Sequence, residues 1–353
     1  MSSPVLKSTS AFAATAAGAP LAPFSIERRP VGPRDVRIEI DYCGVCHTDL
    51  HFVNNDWGMS AFPMVPGHEI IGRVVAVGAE VRDLSAGQRA GVGCLVDSCR
   101  QCEACEDHLE QYCTKGFTLT YSSPTKDPGG LTFGGYSKQI VVDRDYVLKV
   151  PEHLDPAGAA PLLCAGITTY SPLVHWKVGP GMTVGVIGLG GLGHMGVKFA
   201  HAMGARVVMI TTSPQKGEDA KRLGADEVLV STDAQAMGAW TGKFDFLLNT
   251  IPVPHDFNAY MMLLKRDCTM CIVGAIGPTA NLNTAPLIMG RRNVAGSLIG
   301  GLKETQEMLD FAGRHNIVAD VEVIDIATIN EAYGRMQRSD VKYRFVIDLA
   351  TLG

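Results

Sequence analysis

The chain has 353 residues, 46% hydrophobic and 19% charged, a globular balance with core material for two domains of ordinary size. Its 31 basic residues against 36 acidic ones leave a formal net charge of −5, which excludes bulk attraction to nucleic acid or to anionic membranes. No apolar run approaches the ~18 residues of a membrane-spanning helix, and the Ala-rich stretch 8–24 lacks the basic start and Leu-rich core of an export signal.

Residues 30–155 read as β-rich. Short β-branched runs at 36–42, 70–77, 90–96 and 137–142 are broken by Gly, Pro and Asp, as in a barrel-like or rolled sheet. Inside this region lies a dispersed constellation: Cys46 with His47, Thr48, Asp49 and His51, then His68-Glu69, and further on Cys164. Two thiolates and one imidazole would leave one corner of a Zn²⁺ tetrahedron open for water or substrate, with Asp49 suited to accept from His68 and Glu69 placed as an occasional fourth ligand. Separated residues carry little by spacing alone, and a buried Cys46 beside a satisfied His68 reads equally well as plain core.

Cys99, Cys102, Cys105 and Cys113 make a much tighter pattern, four thiols in one short charged loop. Four thiolates leave no open corner, so this reads as a closed structural zinc site. Ten cysteines suggest disulfides at first sight, but the chain's length, the lack of an export signal and these spacings favour reduced thiols in a cytoplasmic protein. Glu103, Glu106, Asp107 and Glu110 around the cysteines oppose a nucleic-acid-binding zinc ribbon.

Asp155-Pro156-Ala157 opens a helical stretch. From about residue 183 the rhythm becomes strand, helix, strand. Strands are expected at 182–187, 206–210, 227–230, 244–248, 268–273 and 294–299, with a helix at 192–203 after the first. That alternation implies an α/β fold with a doubly wound parallel sheet. Between the first strand and its helix stands Gly188-Leu189-Gly190-Gly191-Leu192-Gly193. Gly188 permits the tight turn, Gly190 lets backbone N–H groups approach a pyrophosphate, and Gly193 lets helix and strand pack closely. An NAD site ends the second strand on an acid; here the strand runs into Thr211, Thr212, Ser213 and Lys216, with no acid before Glu218. Hydroxyls and a lysine suit a 2′-phosphate, so NADP(H) is expected over NAD(H). A helix at 304–315 and strands near 321–323 and 343–347 close the chain. Cys268 and Cys271 lie three apart on a strand, on opposite faces, and read as packing; Cys43 reads as buried beside the metal loop. His108, His175, His194 and His201 suggest no partner.

The segments 43–51 (Cys-Gly-Val-Cys-His-Thr-Asp-Leu-His), 66–72 (Pro-Gly-His-Glu-Ile-Ile-Gly), 91–99, 164–168, 188–194, 296–301 and 304–310 together resemble the zinc-dependent medium-chain alcohol dehydrogenases. Within them the chain resembles the cinnamyl-alcohol-dehydrogenase-like branch, which includes microbial NADPH aldehyde reductases. The resemblance implies a GroES-like β-rich catalytic domain (1–155), a Rossmann domain (156–299) and a C-terminal return to the first (300–353), usually in a homodimer. It implies that Cys46, His68 and Cys164 hold a catalytic zinc with Glu69 nearby, and that the other four cysteines hold a structural zinc. It casts Thr48 as the hydroxyl linking substrate oxygen and cofactor ribose, and His51 as the solvent end of a proton relay. Thr168, Thr250, Gly274, Ser297, Leu298 and Ile299 match cofactor contacts, and the segment 211–216 matches the NADP-selecting stretch. The longer Ala- and Pro-rich N-terminus departs from the family pattern without touching a catalytic position.

The expected activity is reversible hydride transfer between NADP(H) and an alcohol or aldehyde, running toward aldehyde reduction. Trp57, Met59, Cys94, Leu119, Leu298 and Ile299 are the expected pocket walls, apolar enough to favour an aromatic or medium-chain aliphatic substrate over sugars and acids. An NAD-dependent oxidative alcohol or polyol dehydrogenase of the same fold is the first alternative, which an acid at the second strand's end would have favoured. A non-enzymatic NADPH-binding protein is the second, which loss of Cys46, His68 or Thr48 would have signalled.

Overall fold

A computed structural model describes residues 7–274, 277–278 and 282–353. The chain divides into two compact units: one holds the residues up to Cys164 together with Gly301–Gly353, the other Ala165–Gly300.

The first unit is built around the long strand Asp35–Gly44, whose Val36, Ile38, Ile40 and Cys43 are buried. It pairs antiparallel with Ile70–Val77, Gln139–Asp143 and Arg344–Asp348. The seven-stranded sheet runs Val321–Asp325, Arg344–Asp348, Asp35–Gly44, Ile70–Val77, Arg89–Val92, Leu148–Lys149, with Gln139–Asp143 off that path. The run expected at 90–96 is two strands, Arg89–Val92 and Leu95–Asp97, because the chain turns at Gly93-Cys94 to pair with Thr118–Leu119. The helix Leu302–His315 buries Thr305, Met308, Leu309, Ala312 and Gly313, one helical stripe, and ends on left-handed Asn316; a further helix, Ile329–Gln337, lies between the last two strands.

The Ala-rich N-terminus carries more structure than its composition suggests. Lys7–Ala13 and Ala22–Arg28 form an antiparallel hairpin. Ala14 exchanges backbone hydrogen bonds with Met64 at 2.8 and 2.9 Å, and Phe12 N–H donates to the Tyr136 carbonyl at 2.9 Å. The hairpin therefore backs the two segments that lead into His68 and Tyr136.

The second unit is a six-stranded, fully parallel sheet. Its order is Glu227–Val230, Arg206–Thr211, Thr183–Ile187, Phe244–Asn249, Leu264–Ile272, Asn293–Gly296. In chain order that is 3-2-1-4-5-6, the doubly wound dinucleotide topology, with the order reversing between Thr183–Ile187 and Phe244–Asn249. The central strands are buried on both faces over most of their length, which explains the apolar runs at 184–187 and 246–248. The last strand ends at Gly296, short of the expected 299, because its partner strand ends at Ile272 opposite it; Ile299, farther on, is left-handed with φ 38°. Among the described residues no single helix is long and apolar enough to cross a membrane.

Candidate metal centre and dinucleotide loop

Cys46 precedes the helix His47–Asn54, and Asp49, in its first turn, accepts from the Cys46 N–H at 3.0 Å. The same fully buried carboxylate accepts from Gly67 N–H at 3.2 Å and from His68 Nδ1 at 3.1 Å. Holding Nδ1 leaves Nε2 as the ring's donor atom toward a metal. Burial opposes the charged form of His68, but Asp49, with Cys94 and Cys46 beside it, holds the imidazole pKa well above its usual range. Gly44 and Ile70 lie on paired strands, so the sheet brings Cys46 and the His68-Glu69 pair together. A Cβ on Gly44 would stand 1.9 Å from Glu69 Oε2, so this closeness requires glycine.

Cys164 completes the group. One donor atom from each of Cys46, His68, Glu69 and Cys164 lies within 4.8 Å of the other three, and all four residues are buried. The two sulfurs are 3.9 Å apart. The hydrogen bond with Cys164 pulls the Cys46 thiol well below its ordinary range and pushes Cys164 well above. Burial pushes the Glu69 carboxyl up to about 7 against the pull of Arg344, which donates to Glu69 Oε1. Glu69 Oε2 has no hydrogen-bond partner among the described residues. Two thiols, an imidazole and a half-satisfied carboxylate, all dry, are a donor set that Zn²⁺ satisfies, and a dication offsets their mutual repulsion.

Thr48 and His51 sit three residues apart on His47–Asn54, hence on one helix face. His51 Nδ1 meets Asp56 Oδ2 at 2.7 Å, and its ring lies 5.0 Å from that of Trp57. Asp56 and Arg344 are among the residues that the sequence does not single out. Asp56 carries a usable signal, an acid just past the end of the helix that bears His51; Arg344 carries none, standing 275 residues from Glu69.

The second metal group is local. Cys99, Cys102, Cys105 and Cys113 place their sulfurs within 4.8 Å of one another. Backbone N–H groups of Thr114 and Cys105 lower the Cys102 thiol to about 5, while burial raises Cys105 to about 11. N–H groups aimed at sulfur favour thiolates, so the lobe's backbone fits a closed four-sulfur zinc site.

In the second unit the glycine loop leaves the strand Thr183–Ile187 and enters the helix Gly193–Ala202. Gly188 has φ 91°, and a Cβ on Gly193 would fall 1.8 Å from the Gly188 carbonyl, so both positions require glycine. Thr250 Oγ1 donates to the Ile187 and Gly188 carbonyls at 2.8 and 3.0 Å, bracing the loop from the neighbouring strand's end. Gly274 sits against the Ile251 carbonyl, and Ser297 N–H donates to Ile272 at 3.1 Å. Lys216 Nζ donates to the Leu189 carbonyl at 3.0 Å, so the ammonium stands at the loop itself. Thr211 is buried, Thr212 exposed and Ser213 half-buried; Thr168 is buried in the helix Ala165–His175.

Of the expected pocket walls, Trp57 packs edge-on to Phe52, and Cys94 Sγ lies 3.8 Å from the carbonyl of Leu163, next to Cys164. Met59 and Leu298 are exposed, and Leu119 pairs with Leu95.

Two family models match the chain: the alcohol dehydrogenase GroES-like domain over residues 32–152 and the zinc-binding dehydrogenase over 191–314. The chain is 58% identical to aldehyde reductase YahK of Escherichia coli (strain K12), over 97% of this chain and 98% of that one. Among solved structures it is similar to a cinnamyl alcohol dehydrogenase from Sorghum bicolor, with TM-score 0.94 and 44% identity over 98% and 99% of the two chains. It is also similar to the Helicobacter pylori enzyme complexed with NADP(H), with TM-score 0.91 and 39% identity over 99% and 100%. The chain belongs to the zinc-dependent medium-chain alcohol dehydrogenases, in their cinnamyl-alcohol-dehydrogenase-like branch.

Proposed function

We propose that this protein is an NADP(H)-dependent alcohol dehydrogenase that works chiefly as an aldehyde reductase. The observation that carries the reading is the buried group of Cys46, His68, Glu69 and Cys164 on the same chain as a glycine loop reached by Lys216. In this reading Cys46, His68 and Cys164 hold the catalytic zinc, with Glu69 as an occasional ligand. The four-cysteine lobe holds a structural zinc. When bound, the zinc supplies Lewis acidity toward the carbonyl oxygen and NADPH supplies the hydride.

The chain's own residues then do the following. Asp49 keeps His68 in one tautomer. The Thr48 hydroxyl passes a proton to the developing alkoxide in this reading. His51, anchored by Asp56 and one-third exposed, exchanges that proton with solvent. The glycine loop and the start of Gly193–Ala202 take the pyrophosphate. Lys216, with Thr211, Thr212 and Ser213, takes the 2′-phosphate, in line with the NADP(H) of the Helicobacter pylori relative. Thr168, Gly274, Ser297, Leu298 and Ile299 contribute further cofactor contacts. Trp57, Met59, Cys94, Leu119, Leu298 and Ile299 favour a substrate that is aromatic or aliphatic around its carbonyl.

The protein works as a cytoplasmic homodimer in this reading. The strand Asn293–Gly296, at the sheet edge among the described residues, with Ile288 and Met289 strongly exposed on the helix Ala285–Gly290 that precedes it, supports pairing of two copies. The test is consumption of NADPH and, in parallel, NADH by the purified protein with cinnamaldehyde. Fast loss of NADPH and slow loss of NADH is the expected result. Preference for NADH overturns the cofactor assignment, and no consumption of either by the two-zinc protein overturns the substrate class.

A further inference from the structure

Four donors converge on the buried Asp49 carboxylate. Three come from the segments that carry metal-binding residues: Cys46 N–H, Gly67 N–H and His68 Nδ1. The fourth is the hydroxyl of Tyr136, at 3.2 Å, from a segment that contributes nothing else to the centre. We propose that Tyr136 is a positioning residue for the catalytic metal centre, its hydroxyl fixing the carboxylate that orients His68. This rests on the reading of Cys46, His68 and Cys164 as the catalytic zinc ligands.

The geometry around Tyr136 is built to hold that hydroxyl still. The side chain is fully buried. Its ring lies under Gly67, where a Cβ would come within 2.7 Å of Tyr136 Cδ1 and of Cys43 Sγ. Gly67 has φ 102°, so the residue before His68 is glycine for reasons of backbone and of space. Tyr136 N–H donates to the Pro66 carbonyl at 3.0 Å, tying the phenol's own backbone to the turn that presents His68. From the other side, Arg28 of the N-terminal hairpin donates to the carbonyls of Phe133 at 2.7 Å, Gly134 at 3.1 Å and Gln139 at 2.9 Å, and to Ser137 Oγ at 2.9 Å. One guanidinium thus pins both flanks of Tyr136. Burial, reinforced by the Asp49 charge, pushes the phenol pKa well above its usual value, so the group stays a donor.

A buried carboxylate that loses one donor gains freedom to rotate. Rotation of Asp49 moves the Nδ1 anchor and with it the imidazole. Partners one step beyond a metal's ligands typically change metal affinity by about 10–100-fold when removed. Tyr136 is one donor of four, so the lower end of that range applies. Full burial keeps Tyr136 from substrate, so its effect passes through the metal centre alone.

The experiment is zinc release to a chromogenic chelator from the purified holoenzyme, comparing wild type, Tyr136→Phe, Asp49→Asn and the double variant. Phenylalanine keeps the ring and deletes one buried hydroxyl, a loss small against the stability of a folded domain, so the variant folds. Tyr136→Phe is expected to release one zinc about tenfold faster while the second, in the four-cysteine lobe, leaves at the wild-type rate. In the Asp49→Asn background the same change adds little, because the hydroxyl acts through that carboxylate. Cobalt(II) placed in the centre is expected to show an altered thiolate charge-transfer band in Tyr136→Phe. Release at the wild-type rate overturns the proposal. Equal acceleration of both zincs also overturns it, since that is general loosening. Wild-type protein carrying zinc in the cysteine lobe alone overturns both this proposal and the reductase reading. Two zincs with an indifferent Tyr136→Phe overturn this proposal alone.

Discussion

Lys216 and Leu189 stand 27 residues apart and are joined by a 3.0 Å hydrogen bond from the ammonium to the backbone carbonyl of the glycine loop. The lysine thus reaches the turn after the first strand from just beyond the second, the two places a dinucleotide-binding fold uses for pyrophosphate and adenosine ribose. Lys216→Glu replaces a cation with an anion there. A charge-assisted hydrogen bond is worth about 1.5–3 kcal/mol, so the KM for NADPH is expected to rise about 10–100-fold. NADH lacks the 2′-phosphate, so its KM should move little. Steady-state kinetics with both cofactors checks this, and equal shifts refute the 2′-phosphate role.

Thr48 and His51 share a face of one short helix, and Asp56 holds His51 by Nδ1 at 2.7 Å. Thr48→Val keeps the shape and removes the proton-carrying hydroxyl. Turnover should fall about 10²-fold or more, the usual worth of a positioned proton donor, with the dissociation constant for NADPH changing far less. Asp56→Ala should lower kcat by a smaller factor, since the imidazole remains but loses its anchor. Rapid-mixing kinetics and fluorescence titration of NADPH separate the two effects.

The parts legible in the sequence were those written in one stretch. The six-residue glycine loop and the four-cysteine lobe each carry their geometry in local spacing. Cys46, His68 and Cys164 of the other metal centre are 22 to 118 positions apart, and only the pairing of Asp35–Gly44 with Ile70–Val77, together with the placement of Cys164, joins them. Family resemblance, not spacing, pointed to that group. Arg344 and Tyr136 were not legible at all, because an arginine on a late strand and a tyrosine after two glycines gain meaning only from burial against Glu69 and Asp49. The N-terminal hairpin was hidden for another reason. Its alanines have little strand preference, and its second partners are the backbones of Met64 and Tyr136, which no side-chain pattern reveals.

Arg344 and Glu69 form a buried ion pair beside two thiols. Burial works against the guanidinium charge, yet Glu69, Cys46 and Cys164 together raise the arginine pKa. Arg344→Met removes the cation and leaves the carboxylate dry and unpaired. Breaking a buried pair on one side costs about 3–5 kcal/mol, so a marked fall in the first unfolding transition is expected, with Glu69 taking up a proton. Arg344→Met with Glu69→Gln should recover much of that loss. Calorimetry of both variants checks the sign, and a neutral single variant refutes the pairing argument.

The four-cysteine lobe also carries Glu110, whose Oε2 accepts from the Leu302 N–H at 2.9 Å at the start of the helix Leu302–His315. A Cβ on Gly301 would fall 1.8 Å from the His108 carbonyl, so lobe and helix start are in close contact. The carboxylate satisfies one of the helix's unpaired N–H groups and sits at the positive end of its dipole. Glu110→Ala should therefore cost about 1 kcal/mol, the usual worth of a helix cap. Cys102→Ser should cost more, because a lobe without its metal no longer positions Glu110 or His108. The two effects share one path, so Glu110→Ala in the Cys102→Ser background should add little. Thermal unfolding of the two single variants and the double variant, with zinc content measured in each, decides it: simple additivity would show that the lobe and the helix are supported independently.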